Sequence, residues 1–154
     1  MNNHSKIRWA KQRDLESLTK LCQLHANFEK SAYNPKGKIE RLYKHIFSDN
    51  PSLYCLVVEK DNNLIGYATF MKQFSTWDAD YYVYMDCLFL TEESRGLGIG
   101  ENLIERIKEE SSKLGCALIQ WQTPDFNKRA MKFYKRIGAV GKSKERYFLN
   151  VQCQ

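Results

Sequence analysis

Proline is scarce in this chain of 154 residues, with three copies, and no Ser/Gly/Pro-rich stretch, low-complexity tract or internal repeat divides it. One domain over residues 1–154 is therefore expected, and a hydrophobic fraction of 43% is enough for one core. Long apolar runs are missing as well. No segment approaches the roughly 18 consecutive apolar residues of a membrane span, and the opening MNNHSKIRWAKQRD has no apolar signal-peptide core. The expectation is a cytoplasmic protein with no membrane partner. Cysteine is present but unpatterned. Cys22, Cys55, Cys87, Cys116 and Cys153 are odd in number and never in C-x-x-C spacing, which argues against a disulfide framework or a zinc knuckle. His4, His25 and His45 show no metal-ligand spacing, so no metal is expected. The net charge of +6 contains no run of five like charges, and no aromatic RNP-type sequence accompanies it. That excludes the usual footprint of a nucleic-acid partner and leaves a solvated basic surface or a small polyanionic ligand.

What is there is a regular alternation of periods. Lys6–Trp9 reads as a strand, and Leu15, Leu18, Leu21 and Cys22 have helical spacing. After Asn34-Pro35-Lys36-Gly37, residues Ile39, Leu42, Tyr43, Ile46 and Phe47 predict a second helix. Leu53–Glu59 and Leu64–Met71, separated by Lys60-Asp61-Asn62-Asn63, predict a hairpin, and Tyr81–Leu90 predicts a third, longer strand. From Gly98 to Leu114, Leu103, Ile104 and Ile107 share one helical face, with Gly115 as the stop. Ala117–Gln122 reads as a strand, Asn127–Arg136 as a helix closed by Gly138, and Arg146–Val151 as a final strand, with one further short strand near Ala139 left open.

The turn Arg95-Gly96-Leu97-Gly98-Ile99-Gly100 joins a strand to a helix. Backbone N–H groups at a positive helix end make such a turn suited to phosphate, and glycine lets the anion approach. The alternative is an ordinary strand-to-helix connection. It is not a P-loop, because Gly100 is followed by Glu101-Asn102 rather than Lys-Ser/Thr. It is not a dinucleotide turn either, because Gln120-Trp121-Gln122 stands where the ribose-binding acid would be.

Arg95-x-x-Gly98-x-Gly100 resembles the R/Q-x-x-G-x-G/A signature of the GNAT N-acetyltransferase superfamily. Asn127-Lys128-Arg129-Ala130-Met131-Lys132-Phe133-Tyr134-Lys135-Arg136-Ile137-Gly138-Ala139 is similar to that family's N-x-x-A-x-x-F/Y-Y-x-x-x-G-F/A segment. The resemblance implies an α/β GNAT fold, with a central mixed, mostly antiparallel twisted sheet of six to seven strands flanked by about four helices. It also implies acetyl-CoA as acetyl donor and a homodimer. Phe74-Ser75-Thr76-Trp77, Tyr84-Met85-Asp86-Cys87-Leu88 and Leu24-His25-Ala26-Asn27-Phe28-Glu29 look most like the diamine (spermidine/spermine) N-acetyltransferases. Two departures set the chain apart from that subgroup. Cys87 replaces the second of two adjacent acids, and the segment after Glu29 is basic, with Lys30, Lys36 and Lys38.

The resemblance assigns the donor to Leu88, Phe89 and Leu90 for the pantetheine arm and to Arg95, Gly96, Leu97, Gly98, Ile99, Gly100 and Glu101 for the pyrophosphate. Asn127, Arg129, Ala130 and Tyr134 complete that set, Asn127 being either a cofactor contact or a helix N-cap. An amine must lose a proton before it attacks, and Asp86 is the candidate base, or else a structural acid paired with a nearby cation. Tyr134, matching the family's tyrosine, would protonate the departing thiolate. Phe28, Glu29, Trp77, Asp86, Gln120 and Gln122 are the candidate acceptor-side residues, from the subgroup resemblance and from strand-end positions. The expected reaction is acetyl transfer from acetyl-CoA to a primary amine of a small molecule, a diamine, polyamine or amino-acid-like amine. A non-catalytic acyl-CoA-binding module and a protein N-terminal or lysine acetyltransferase are the alternatives.

Overall fold

A computed structural model describes residues 4–153. The chain divides into two compact units, Met1–Gln122 and Thr123–Gln154. The first carries β1 (Lys6–Trp9), α1 (Leu15–Phe28), α2 (Lys38–Ile46), β2 (Tyr54–Lys60), β3 (Asn63–Ser75), β4 (Asp80–Leu90), α3 (Ile99–Lys113) and β5 (Ile119–Gln120). Its sheet runs in the order β1-β2-β3-β4-β5, antiparallel throughout except for the parallel β4–β5 pair.

Local chemistry explains the joints. Asp61 and Asn62 take φ of 50° and 63°, the doubly left-handed turn whose twist matches a two-residue hairpin between β2 and β3. Leu15, Leu18 and Leu21 of α1 are buried in one cluster with Cys55, Val57, Tyr67 and Phe89. On α3, the residues Leu103, Ile104 and Ile107 are buried, and the helix packs on β4. Gly115, at φ 73°, ends α3 as its position predicts. Gly66 is required by contact: a Cβ there would run into Leu90 Cδ2 and lie 2.8 Å from the Phe89 carbonyl oxygen.

The second unit holds α4 (Lys128–Arg136). Asn127 Oδ1 accepts from the Ala130 N–H at 3.3 Å, so this residue is the N-cap of α4.

Four expectations need correction. Among the described residues the sheet has five strands, not six or seven. Arg146–Val151 and the segment near Ala139 lie outside any helix or strand, and Tyr147, Phe148, Leu149 and Val151 are exposed. Apolar β-formers suit a strand but do not make one without a paired neighbour. The strand expected over residues 117–122 contracts to Ile119–Gln120, paired with Val83 and Tyr84. The β3–β4 hairpin is longer than expected, since Met71–Ser75 pairs with Asp80–Tyr84 although Lys72 and Gln73 are polar. Both sit on a stretch that β2 does not flank, where strand pairing tolerates polar side chains.

Candidate active site

The site is organised by one irregularity in β4. Thr69 faces Cys87 while Phe70 faces Met85, which leaves Asp86 as an extra residue, a β-bulge. The bulge moves the outward-facing backbone groups by one position. Thr91 N–H donates to Ile65 O at 2.9 Å, flanking the Leu90–Gly66 pair, so the amide and carbonyl of Leu90 point away from β3. Leu88, two residues earlier and opposite Ala68, points the same way. On that edge β5 covers Val83 and Tyr84, and from Met85 to Leu90 no strand follows it among the described residues. A splayed edge with free N–H groups results, suited to an added strand-like ligand.

Beyond β4 the chain makes a 3-10 turn at Glu92–Ser94, fixed by a 2.7 Å hydrogen bond between the Thr91 and Ser94 hydroxyls. Gly96 and Gly98 then adopt φ of 75° and 79°. Gly98 is the N-cap of α3 and has no side chain to close the first-turn N–H groups, which are left available to an anion. A Cβ at Gly98 would meet nothing within 4 Å, so the space above the turn is open. Arg95 has a further engagement. Its Nε donates to the Leu90 carbonyl at 3.0 Å, and its guanidinium stacks over Phe28 and Phe89, 4.7 and 5.5 Å from the ring centroids. These contacts leave its terminal N–H groups for an anion and tie the end of α1 to the end of β4.

The last turn of α1 closes the site. His25 Nδ1 lies 2.8 Å from Tyr67 Oη, its Nε2 lies 3.3 Å from Glu29 Oε1, and its ring stacks on Phe89 at 5.1 Å and 20°. Burial holds this imidazole below its ordinary pKa, opposed in part by Glu29 and Asp86. Burial likewise pushes the Cys87 thiol up to about 12, and the adjacent Asp86 charge adds to it. Cys87 is therefore a neutral thiol, 3.8 Å from Asp86 Oδ2.

The unit thus gathers Phe28, Glu29, Asp86, Leu88, Phe89, Leu90 and Arg95 at one end of β4, with Gly96, Leu97, Gly98, Ile99, Gly100 and Glu101 following. It separates Trp77. That residue is almost fully exposed, at 96%, in the β3–β4 turn, and the six steps from Asp80 to Asp86 put it about 20 Å from the bulge. Gln120 lies opposite Tyr84 on β5 and Gln122 just beyond, both exposed. Arg129, Ala130 and Tyr134 lie on α4 of the second unit. His25 and Tyr67 are site residues that the sequence reading missed. The available signal was the i, i+4 spacing of His25 and Glu29 on a helix.

A model of the acetyltransferase (GNAT) family matches residues 15–139, most of the chain and both of its motifs. The chain belongs to the GNAT acetyltransferase family. The acetyltransferase is 31% identical over 141 residues to the thialysine N-epsilon-acetyltransferase of Bos taurus, an alignment covering 86% of this chain and 82% of that one. It is 25% identical over 138 residues to a D-amino-acid N-acetyltransferase of Saccharomyces cerevisiae, covering 89% and 86%. An aminoglycoside N-acetyltransferase solved in complex with CoA has the same fold, with a TM-score of 0.80 at 17% identity over 99% of this chain and 98% of that one.

The donor used by this family is acetyl-CoA, and the residues present fit it: an open glycine turn at a helix N-terminus for the pyrophosphate, and the outward backbone groups of Leu88 with the outward N–H of Leu90 for the pantetheine amides. Among the described residues no group of three or more His, Cys, Asp or Glu is gathered for a metal ion, and no helix is long and apolar enough to cross a membrane.

Proposed function

We propose that the enzyme acetylates the primary amine of a small molecule of low charge, such as a short diamine or an amino-acid-like amine, using the bulged end of β4 as its reaction surface. The observation that carries this reading is the bulge itself. It sets Asp86 on the solvent-exposed side of a strand whose next outward backbone groups, at Leu88 and Leu90, face an uncovered edge. The relatives that act on thialysine and on D-amino acids support an acceptor of this size.

An amine of pKa ~10.4 is almost wholly protonated at neutral pH, and its free form costs roughly 4–5 kcal/mol. Glu29 and Asp86 supply two negative charges for the ammonium, and Asp86 takes its proton, directly or through a water. Acetyl-CoA supplies the acetyl group as a thioester, whose C–S bond breaks as the N–C bond forms. Leu88 and Leu90 hold the pantetheine arm through their backbone, and the N–H groups of this stretch face the carbonyl oxygen as it gains charge. Arg95 and the turn from Gly96 to Glu101 hold the pyrophosphate, with Arg129 and Ala130 assigned to the donor by motif. Asn127 contributes by starting α4. Tyr134 gives its hydroxyl proton to the departing sulfur and regains one from the second proton that the nitrogen sheds as the intermediate collapses, so the protons balance: the ammonium loses two, one to Asp86 and then to solvent, the other replacing the proton that Tyr134 gives to the thiol.

The neutral Cys87 leaves this end of β4 one charge short of a polycation site, and Lys30, Lys36 and Lys38 disfavour a long cation nearby. Gln120 and Gln122 offer neutral polar contacts to the acceptor. The same reading treats the chain as one catalytic domain acting in the cytoplasm as a homodimer. Phe74, Trp77 and Tyr81 are exposed at the hairpin tip, an apolar surface for a second copy, which would be the source of Trp77 in the acceptor site.

The test is coenzyme A thiol release against a panel of thialysine, D- and L-amino acids, short diamines, spermine, an aminoglycoside and an N-terminal peptide. Amino-acid-like amines or short diamines should give the highest kcat/KM. A preference for spermine or for the peptide would refute the acceptor class.

A further inference from the structure

We propose that His25 is a positioning residue of the acceptor site: held by the Tyr67 hydroxyl, it presents Nε2–H to Glu29 and fixes that carboxylate for the acceptor ammonium. The inference rests on the amine-acetyltransferase reading and adds a residue that neither motif contains.

The geometry determines the tautomer. A carboxylate can only accept, so Nε2, 3.3 Å from Glu29 Oε1, carries the proton. In a neutral imidazole Nδ1 is then a lone pair, and Tyr67 Oη at 2.8 Å donates to it. The chain runs Tyr67 O–H to Nδ1, then Nε2–H to Glu29. Three elements hold the ring: α1 carries it, Tyr67 of β3 anchors one nitrogen, and Phe89 of β4 stacks on its face. With its side chain 14% exposed, against 36% for Glu29, the ring is fixed while the carboxylate still reaches solvent. That is the arrangement of a support behind a contact group.

The charged and titratable groups around the ring are Glu29 on its own helix, Asp86 and Tyr67 from the sheet, and Arg95 beyond β4. Burial and Arg95 favour the neutral ring, while Glu29 and Asp86 favour the cation. Below the ordinary imidazole range His25 gains a positive charge between two acids meant for an ammonium, and it then competes with the substrate for them. Acceptor binding should weaken there, and acetyl-CoA binding should not.

Four variants and one spectrum test this. His25→Leu removes both hydrogen bonds, and loss of a bond to a charged group predicts about a tenfold or larger rise in amine KM, with acetyl-CoA KM within about twofold. His25→Gln keeps an N–H donor for Glu29 and cannot titrate. It should restore amine KM to within a few-fold of wild type and abolish the rise in amine KM at low pH. Glu29→Gln combined with His25→Leu should be little worse than Glu29→Gln alone, since the two act as one unit. Long-range 1H–15N NMR of the wild type, with the His25 signals identified by their loss in His25→Leu, should show a neutral Nε2–H tautomer at pH 7. A doubly protonated ring or an Nδ1–H tautomer would overturn the inference, whether or not an acceptor is known. So would an unchanged amine KM in His25→Leu, or parallel rises in both KM values with a lowered Tm. Failure of every amine with the wild-type enzyme would instead strike the acetyltransferase reading itself.

Discussion

The two ends of α1 carry polar clusters of opposite character. At the N-terminal end Arg8 Nη1 and Nη2 donate to the two oxygens of Asp14, at 2.7 and 3.0 Å, and its Nε donates to Glu59 at 2.7 Å. The backbone N–H of Lys11 donates to the same Asp14 carboxylate. Arg8, Asp14 and Glu59 each meet an opposite charge inside the fold. At the C-terminal end Glu29 is partly exposed and Asp86 is exposed. A saturated, buried cluster stabilises the fold, whereas one whose acids still reach solvent is set to meet a ligand. Substitutions at the two ends should therefore separate stability from turnover.

The largest effect is expected at the saturated end. Asp14→Ala removes the bidentate partner of a guanidinium whose side chain is 10% exposed and leaves it Glu59 alone, so the cost should approach but not exceed that of a fully broken buried pair, about 3–5 kcal/mol. Urea unfolding should show that loss, with kcat of the folded fraction near wild type. The pH dependence follows from the same contact, since hydrogen bonding from Arg8 depresses the Asp14 pKa on folding. Its contribution is complete above the unfolded value of about 3.9 and is lost as pH falls through the lower folded value, so wild-type stability should decline in acid more steeply than that of Asp14→Ala.

Asp86→Asn should give the converse. Removing the base lowers kcat by roughly 10²–10⁴, while an exposed isosteric change moves stability by no more than about 0.5 kcal/mol. Tyr134→Phe should lower kcat within the same range while leaving acetyl-CoA affinity alone; a structural hydroxyl would instead cost about 1 kcal/mol of stability and spare turnover. Tm and kcat measured on one preparation distinguish these outcomes. A smaller, mixed effect is expected at Gly66→Ala, where the new Cβ crowds the Phe89 carbonyl. About 1–3 kcal/mol of stability should be lost, and acetyl-CoA KM should rise because Leu90 shifts with its neighbour.

Much of this was legible in sequence because local rules governed it. The apolar stripes of α1 and α3, the Asp61-Asn62 turn and the stop at Gly115 follow from period and turn chemistry alone. The glycine turn was legible for the same reason, since its chemistry lies in consecutive backbone groups. The bulge at Asp86 was not, because it is a mismatch of register between two strands and neither strand contains it alone. His25 escaped notice because its role depends on Tyr67, 42 residues away in sequence. Arg146–Val151 shows the reverse failure, as strand propensity there meets no partner strand. Resemblance places Trp77 among the acceptor residues, and the length of the β3–β4 hairpin, set by pairing beyond polar Lys72 and Gln73, carries it away from Asp86.

The central claim is that β4 beyond the bulge is an unfilled strand edge that the donor completes. Amide hydrogen exchange read residue by residue by NMR, with and without coenzyme A, tests it most directly. The amides of Leu88 and Leu90, which point away from β3, should exchange readily in the free enzyme and become protected by tenfold or more when coenzyme A saturates it, as expected for a new strand-type hydrogen bond (~1 kcal/mol or more). Phe89, whose amide faces β3, should be protected in both states. If Leu88 and Leu90 are already protected without ligand, or if coenzyme A binds and leaves their exchange unchanged, the edge is not where the donor lies and the account fails.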